Sequence, residues 1–335
     1  MQAMRTEQDS LGALEIPADA LYGVQSLRAQ QNFDISPQKL ADAPALLRAL
    51  ARIKKAAALA NHDIGALPED LAQAIAGAAD EVAEGRHDAA FIVDLMEGSG
   101  GTSINMNMNE VLANRGLELL GERAGSYHRL HPNDHVNMGQ STNDVVPAAV
   151  KLALFEAGAP LVAALTHLAE RLSERARAFD DVLRIGRTCM QGAQPMRLGQ
   201  AFGGYAAAVG RLAVTVEARR QDMLVLPLGG TAIGTGLGAA PGYREAVYVR
   251  LASLLNVDVR PGGDIFDAMQ NADGFARLSA EIRIAAEVVG KIAGDLVLLG
   301  SDPNSGLGEL RLPAVQPGSS IMPGKVNPVL PMMMQ

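Results

Sequence analysis

Apolar residues return at three-and-four spacing along several stretches of this chain, and polar, glycine-marked segments separate them. In 43–61, Ala43, Leu46, Leu47, Leu50, Ile53 and Ala57 fall on one helical face, with Pro44 acceptable in the opening turn. A shorter helix is predicted over Pro68–Glu84. A third follows the turn Gly98-Ser99-Gly100-Gly101, over Ile104–Leu120. Past the polar, Pro-marked loop His131–Asn137, residues Asn143–Arg177 read as a long helix with Pro147 in its first turns. A kink or break is expected there at Gly158/Pro160. Leu198–Met223 is the next helix, ending in the loop Pro227–Gly242, whose six glycines cannot continue it. The last stretch, Asp264–Leu299, places Phe275, Leu278, Ile282, Ala285, Val289, Ile292 and Leu296 on one stripe. If helical throughout, it spans roughly 54 Å at about 1.5 Å per residue. The first forty residues show no such period and read as irregular, punctuated by Gly12, Pro17, Gly23 and Pro37.

Helices this long with apolar stripes imply a multi-helix bundle that self-associates. Composition agrees: Ala and Leu dominate, aromatics are 4% and Trp is absent, which favours packed helices over a β-sandwich. The expected fold is all-α. At 335 residues the chain exceeds one typical domain. A small N-terminal helical domain is expected over 1–136, followed by a central long-helix bundle over 137–335. The net charge of −8 speaks against a nucleic-acid surface, so an anionic substrate needs a local cationic site. The lone Cys189 excludes an intrachain disulfide framework and a Cys-rich metal site. No signal-peptide pattern and no 18-residue apolar run is evident. The expectation is a cytoplasmic protein with neither membrane nor nucleic-acid partner.

Four polar segments carry candidate chemistry. Gly101-Thr102-Ser103 precedes Asn105, Asn107 and Asn109; Gln140-Ser141-Thr142-Asn143-Asp144 opens the long helix; Gly186-Arg187-Thr188 is third. Hydroxyls before a helix are ordinary N-caps, yet a helix N-terminus is also an anion site. The fourth, Gly318-Ser319-Ser320-Ile321-Met322-Pro323-Gly324-Lys325-Val326-Asn327-Pro328, joins two hydroxyls, a cation and a carboxamide. Before a helix-like run it suggests a lid over an anionic substrate. The inventory of neutral donors with one Lys suits a small dicarboxylate. It contains no dinucleotide fingerprint, Walker loop or clustered metal ligands.

The segment 318–328 resembles the Gly-Ser-Ser-x-Met-Pro-x-Lys-x-Asn pattern of the aspartase/fumarase superfamily. The segments 101–110, 131–144, 186–188, 229–236 and 271–273 are similar to that family in the same order. The likeness is greatest to its aspartate ammonia-lyase branch, with class II fumarases second. Tyr22–Ala29, Gly101-Thr102-Ser103 and Ser141-Thr142 carry that preference. The resemblance implies homotetramers whose active sites are shared between subunits. It implies Ser319 as the base that removes a C3 proton, giving an aci-carboxylate. It also implies Thr102, Ser141, Thr142, Asn143, Thr188, Lys325 and Asn327 as substrate-binding residues. Ser103, Cys189, His131, Asn133 and Asp134 are secondary candidates. No cofactor and no metal ligand is implied, although divalent cations activate some members.

Four residues depart from the family pattern: Cys189 for His, Met332 for Glu, Ala201 for Glu and Asn304 for Arg. Loss of His and Glu fits release of an amine better than of hydroxide, because hydroxide needs a proton donor to leave. At Cys189 the expectation is a small packing residue, with weak-acid character as the alternative. Family members continue past the signature loop, so the chain is expected to stop short, without its C-terminal domain. The leading expectation is conversion of L-aspartate or a close analogue to fumarate and ammonia. A fumarate hydratase and an inactive, lyase-derived helical assembly protein are the alternatives.

Overall fold

The computed structural model describes residues 3–335. In chain order it contains β1 (Met4–Asp9), β2 (Gly12–Pro17), α1 (Val24–Asn32), α2 (Pro44–Asp63), α3 (Glu69–Ala83), α4 (Thr102–Leu119) and α5 (Thr142–Ala178). Then come β3 (Leu183–Thr188), β4 (Gln191–Arg197), α6 (Leu198–Asp222), β5 (Val225–Leu226), α7 (Tyr243–Leu255), β6 (Arg260–Pro261), α8 (Ile265–Gln270), α9 (Asp273–Leu299) and α10 (Val329–Met333). Helices carry the architecture and the strands are short, as in an all-α fold.

The chain forms two compact units, Met1–Ala157 with Asp222–Ala272, and Gly158–Gln221 with Asp273–Gln335. In the first, the predicted faces meet in one core: Leu47, Leu50 and Ile53 of α2, Ile75 of α3, Leu112 of α4, Val145 of α5 and Val247 of α7 are buried. Alanines on α2 and α3, such as Ala57 and Ala78, are fully covered, so the helices pack without large side chains between them. In the second unit Leu165 and Leu172 of α5, Phe202, Val209 and Val216 of α6, and Ala285 and Ile292 of α9 share a core.

Three expectations are corrected. The irregular opening is instead an antiparallel hairpin, Met4 pairing with Pro17 through Asp9 with Gly12, followed by α1. Arg5 and Glu7 replace the apolar alternation that marks a strand: Arg5 bonds the carbonyls of Pro17, Ala20 and Tyr22 at 2.9, 2.6 and 2.9 Å. α5 runs unbroken through Gly158 and Pro160. At Gly158 a Cβ would lie 2.9 Å from Arg220 Cδ, so the glycine there gives α6 room rather than ending a helix. Asp264–Leu299 is two helices, because Asn271 is extended (φ −101°, ψ 137°). Its side chain donates to Asp267 Oδ1 at 2.6 Å. An 18-residue window of α5 reaches a mean hydropathy of 1.6, long and apolar enough for a membrane span. Charges such as Lys151 and Glu156 divide it into shorter runs. Of that window, 22% is buried inside the chain.

Candidate active site

Two helix starts come together in the first unit. Gly101, left-handed at φ +95°, precedes α4, and a Cβ on it would lie 3.3 Å from Thr142 Cγ2. Only glycine lets the two N-termini approach this closely. Thr102 is thus exposed at the head of α4 beside Thr142 at the head of α5. Ser141 precedes α5, and its hydroxyl accepts from Asn143 N at 3.2 Å. Asn143 donates its side-chain amide to Ala232 O at 2.8 Å. Asp144 Oδ2 accepts from Gly229 N at 3.1 Å and Thr231 N at 3.0 Å, holding the glycine-rich loop against α5. Burial pushes its carboxyl up to about 6, while the N–H groups of Ser141, Thr231 and Gly229 oppose that rise.

Behind these groups lies a polar cluster that sequence reasoning missed. Asn137 Oδ1 accepts three donors: Lys54 Nζ at 2.9 Å, Asn105 Nδ2 at 3.1 Å and Asn109 Nδ2 at 3.2 Å. Asn105 Nδ2 also donates to Thr142 Oγ1 at 3.3 Å. Lys54 is fully buried, and that burial lowers its ammonium to about 7, with Asp144 opposing. The only sequence signal was the i, i+4 spacing of Asn105 and Asn109, which puts both on one helical face. Asn107, between them, turns away and donates to Ala90 O at 3.0 Å.

Thr102, Ser103, His131 and Asn133 line a cleft of about 710 Å³ together with Glu110, Tyr127 and Arg28. Ser103 is largely committed locally, its N–H donating to Ser99 Oγ at 2.9 Å. The polar loop at His131 is a π-helical turn, Pro132–Val136. His131 Nδ1 accepts from Asn133 N at 3.1 Å and Asp134 N at 3.3 Å, which requires an unprotonated Nδ1. Asn133 and Asp134 are exposed. Glu110 holds the opening segment 22–29 against this cleft: its carboxylate accepts from Gly23 N, Gln25 N and Ser26 N at 2.9, 2.9 and 3.0 Å.

The remaining candidates fall in the second unit. Ser319 Oγ accepts from Ile321 N at 3.2 Å and Met322 N at 3.0 Å. Gly318 N donates to Lys325 O at 2.8 Å, and Asn327 Nδ2 to Gly318 O at 2.9 Å, closing the segment into a ring. Lys325 is exposed, and Ser319 and Asn327 are half-buried. Thr188 ends β3, facing Gln191 across a two-residue turn made by Cys189 and Met190, both at positive φ (49° and 61°). Cys189 is exposed on that turn, which corrects its expected role as a packing residue. Arg184 pairs with Glu309 at 3.0 Å, and Arg187 with the same carboxylate. Met332 lies on α10, exposed, and Asn304 is exposed as well. Among the described residues no group of three or more His, Cys, Asp or Glu is arranged to hold a metal ion.

The comparisons with known proteins reach nearly the whole chain. An aspartate ammonia-lyase of Bacillus subtilis (strain 168) is 44% identical over 326 residues, covering 97% of this chain and 68% of that protein. A class II fumarate hydratase of Ralstonia nicotianae is 46% identical over 325 residues, covering 97% and 70%. The crystal structure of a fumarate lyase:delta crystallin from Brucella melitensis bound to cobalt superposes with a TM-score of 0.94 at 47% identity, covering 99% of this chain and 72% of that one. A class II fumarase from Schistosoma mansoni gives 0.93 at 36%, covering 99% and 73%. A family model described as lyase matches residues 12–335, and the chain belongs to that lyase family, within the aspartase/fumarase superfamily.

Proposed function

We propose that this lyase eliminates ammonia from L-aspartate or a close analogue, giving fumarate. The observation that carries the reading is the environment of Ser319, whose Oγ receives two backbone N–H groups. Donors aimed at an oxygen favour its anionic form and so lower its pKa. Ser319 as alkoxide takes the C3 proton. The C–H electron pair moves into the adjacent carboxylate, forming an aci-carboxylate that needs dense donors. Its collapse makes the C2–C3 double bond and breaks the C2–N bond, the electron pair leaving with ammonia. Ser319 then returns its proton to solvent.

Thr102, Ser141, Thr142 and Asn143 at the helix starts, with Thr188, Lys325 and Asn327, supply the carboxylate contacts in this reading. We place the two sets of residues in shared sites of a homotetramer. The acid–base scheme calls on no cofactor. Fumarate hydration is the second reading, favoured by the Ralstonia nicotianae relative. Met332 argues against it, since a thioether offers no proton to departing hydroxide where the family pattern has Glu. Fumarate absorbance is expected with L-aspartate; production from L-malate alone would replace this reading by the hydratase.

A further inference from the structure

A buried ammonium dictates which way neighbouring amides turn. Lys carries three donors and no acceptor. Asn137 therefore has to present Oδ1 to Lys54 Nζ, as it does at 2.9 Å. That oxygen then calls for donors, and Asn105 turns its Nδ2 toward it at 3.1 Å. The same Nδ2 reaches Thr142 Oγ1 at 3.3 Å. A threonine hydroxyl that accepts through its lone pair keeps its own hydrogen to give elsewhere. The polarity is imposed on the asparagines rather than chosen by them: Asn105 Oδ1 and Asn109 Oδ1 are buried without a hydrogen-bond partner. Unpaired buried carbonyl oxygens are costly, and turning the amides over would change which atoms face the ammonium.

We propose that Lys54, acting through the carboxamides of Asn137 and Asn105, fixes the direction in which the Thr142 hydroxyl donates. It is a positioning residue for the carboxylate-binding group at the start of α5. The proposal rests on reading Thr142 as a substrate contact. Lys54 lies 88 positions before Thr142 in the chain and touches no substrate in this scheme. Its influence passes through two hydrogen-bonded amides, the first of which is also held by Asn137 Nδ2 donating to Gln140 O at 3.2 Å.

The test uses Lys54→Met, Thr142→Val and the double variant of the whole chain. Two readouts are taken: KM and kcat for L-aspartate, and the dissociation constant of succinate, a dicarboxylate without an amino group. Thr142→Val is expected to raise KM and the succinate constant about tenfold, the worth of one hydrogen bond to a charged group. Lys54→Met is expected to raise both comparably with kcat within about threefold, and the double variant to be no worse than Thr142→Val. Effects that multiply in the double variant, or a Lys54→Met loss confined to kcat, overturn the proposal. If Thr142→Val changes neither constant, the assignment of Thr142 fails and the proposal with it, while ammonia release stands. If the unsubstituted protein releases no fumarate, the function reading fails, and succinate binding alone decides the coupling. Should Lys54→Met not fold, Asn105→Ala takes its place in the same cycle, with the same outcomes.

Discussion

Ser26 donates twice to one oxygen of Glu110, its N–H at 3.0 Å and its hydroxyl at 2.5 Å, across 84 positions of sequence. With Gly23 N and Gln25 N on the same carboxylate, a residue of α4 caps the start of α1. Gly23 is needed at that join: a Cβ there would sit 2.7 Å from both Glu110 Cδ and Glu7 Oε2. Burial raises the Glu110 carboxyl, and the donors from α1 work against that rise.

Glu110→Gln should therefore destabilise the protein by about 2–4 kcal/mol, because an amide turns donors toward N–H groups that need acceptors. Urea unfolding of the variant measures this. A loss under about 0.5 kcal/mol would mean that α1 is held by packing alone.

Lys54 gives stability an unusual pH dependence. Its ammonium sits at about 7 when folded against 10.5 unfolded, so between these values the folded chain binds fewer protons. Stability should rise with pH across that window, by up to about 5 kcal/mol. Asp144 acts the other way at lower pH. Its carboxyl rises from 3.8 to about 6, the folded chain binds more protons there, and stability falls as pH rises through the interval. Lys54→Met should abolish the rise above pH 7, read by denaturant unfolding from pH 6.5 to 10. An unchanged slope would show that Lys54 is not the buried cation responsible.

Ser319→Ala should remove turnover of L-aspartate while leaving succinate binding within about threefold, because the base acts only on the reacting proton. Fumarate absorbance and calorimetry are the two measurements. Turnover persisting near the unsubstituted rate would assign the base elsewhere.

Cys189 and Met190 both adopt left-handed backbone in the β3–β4 turn. Such turns favour Asn-Gly, and a non-glycine residue there carries strain. Met190→Gly should stabilise the chain by about 1 kcal/mol, seen as a higher unfolding midpoint. A fall in the midpoint would show that the Met190 side chain makes contacts worth more than the strain.

Much of the architecture was legible because helical periodicity is local. The face of α2 is set by residues three and four apart and is buried as its spacing implies, whereas α4 is buried almost all round, Asn105, Asn107, Asn109 and Glu110 included. The opening hairpin was hidden because β1 carries Arg5 and Glu7 where strands usually alternate apolar residues. The split between α8 and α9 was hidden because the apolar stripe continues across Asn271 although the backbone does not.

The candidate site divides in the same way. Residue types and short spacing marked the Ser319–Asn327 loop and the hydroxyls before α4 and α5, and the resemblance of these segments to a known pattern marked the family. Sequence could not show that Lys54, Asn105, Asn109 and Asn137 would meet at one oxygen, since nothing local pairs a lysine with an amide 83 positions away. Sequence determined the main helices α2 to α6 and which groups are candidates to bind a carboxylate. Only the tertiary structure decided which buried amides face one another and which way they turn, because a hydrogen bond depends on direction and distance in space rather than on order along the chain.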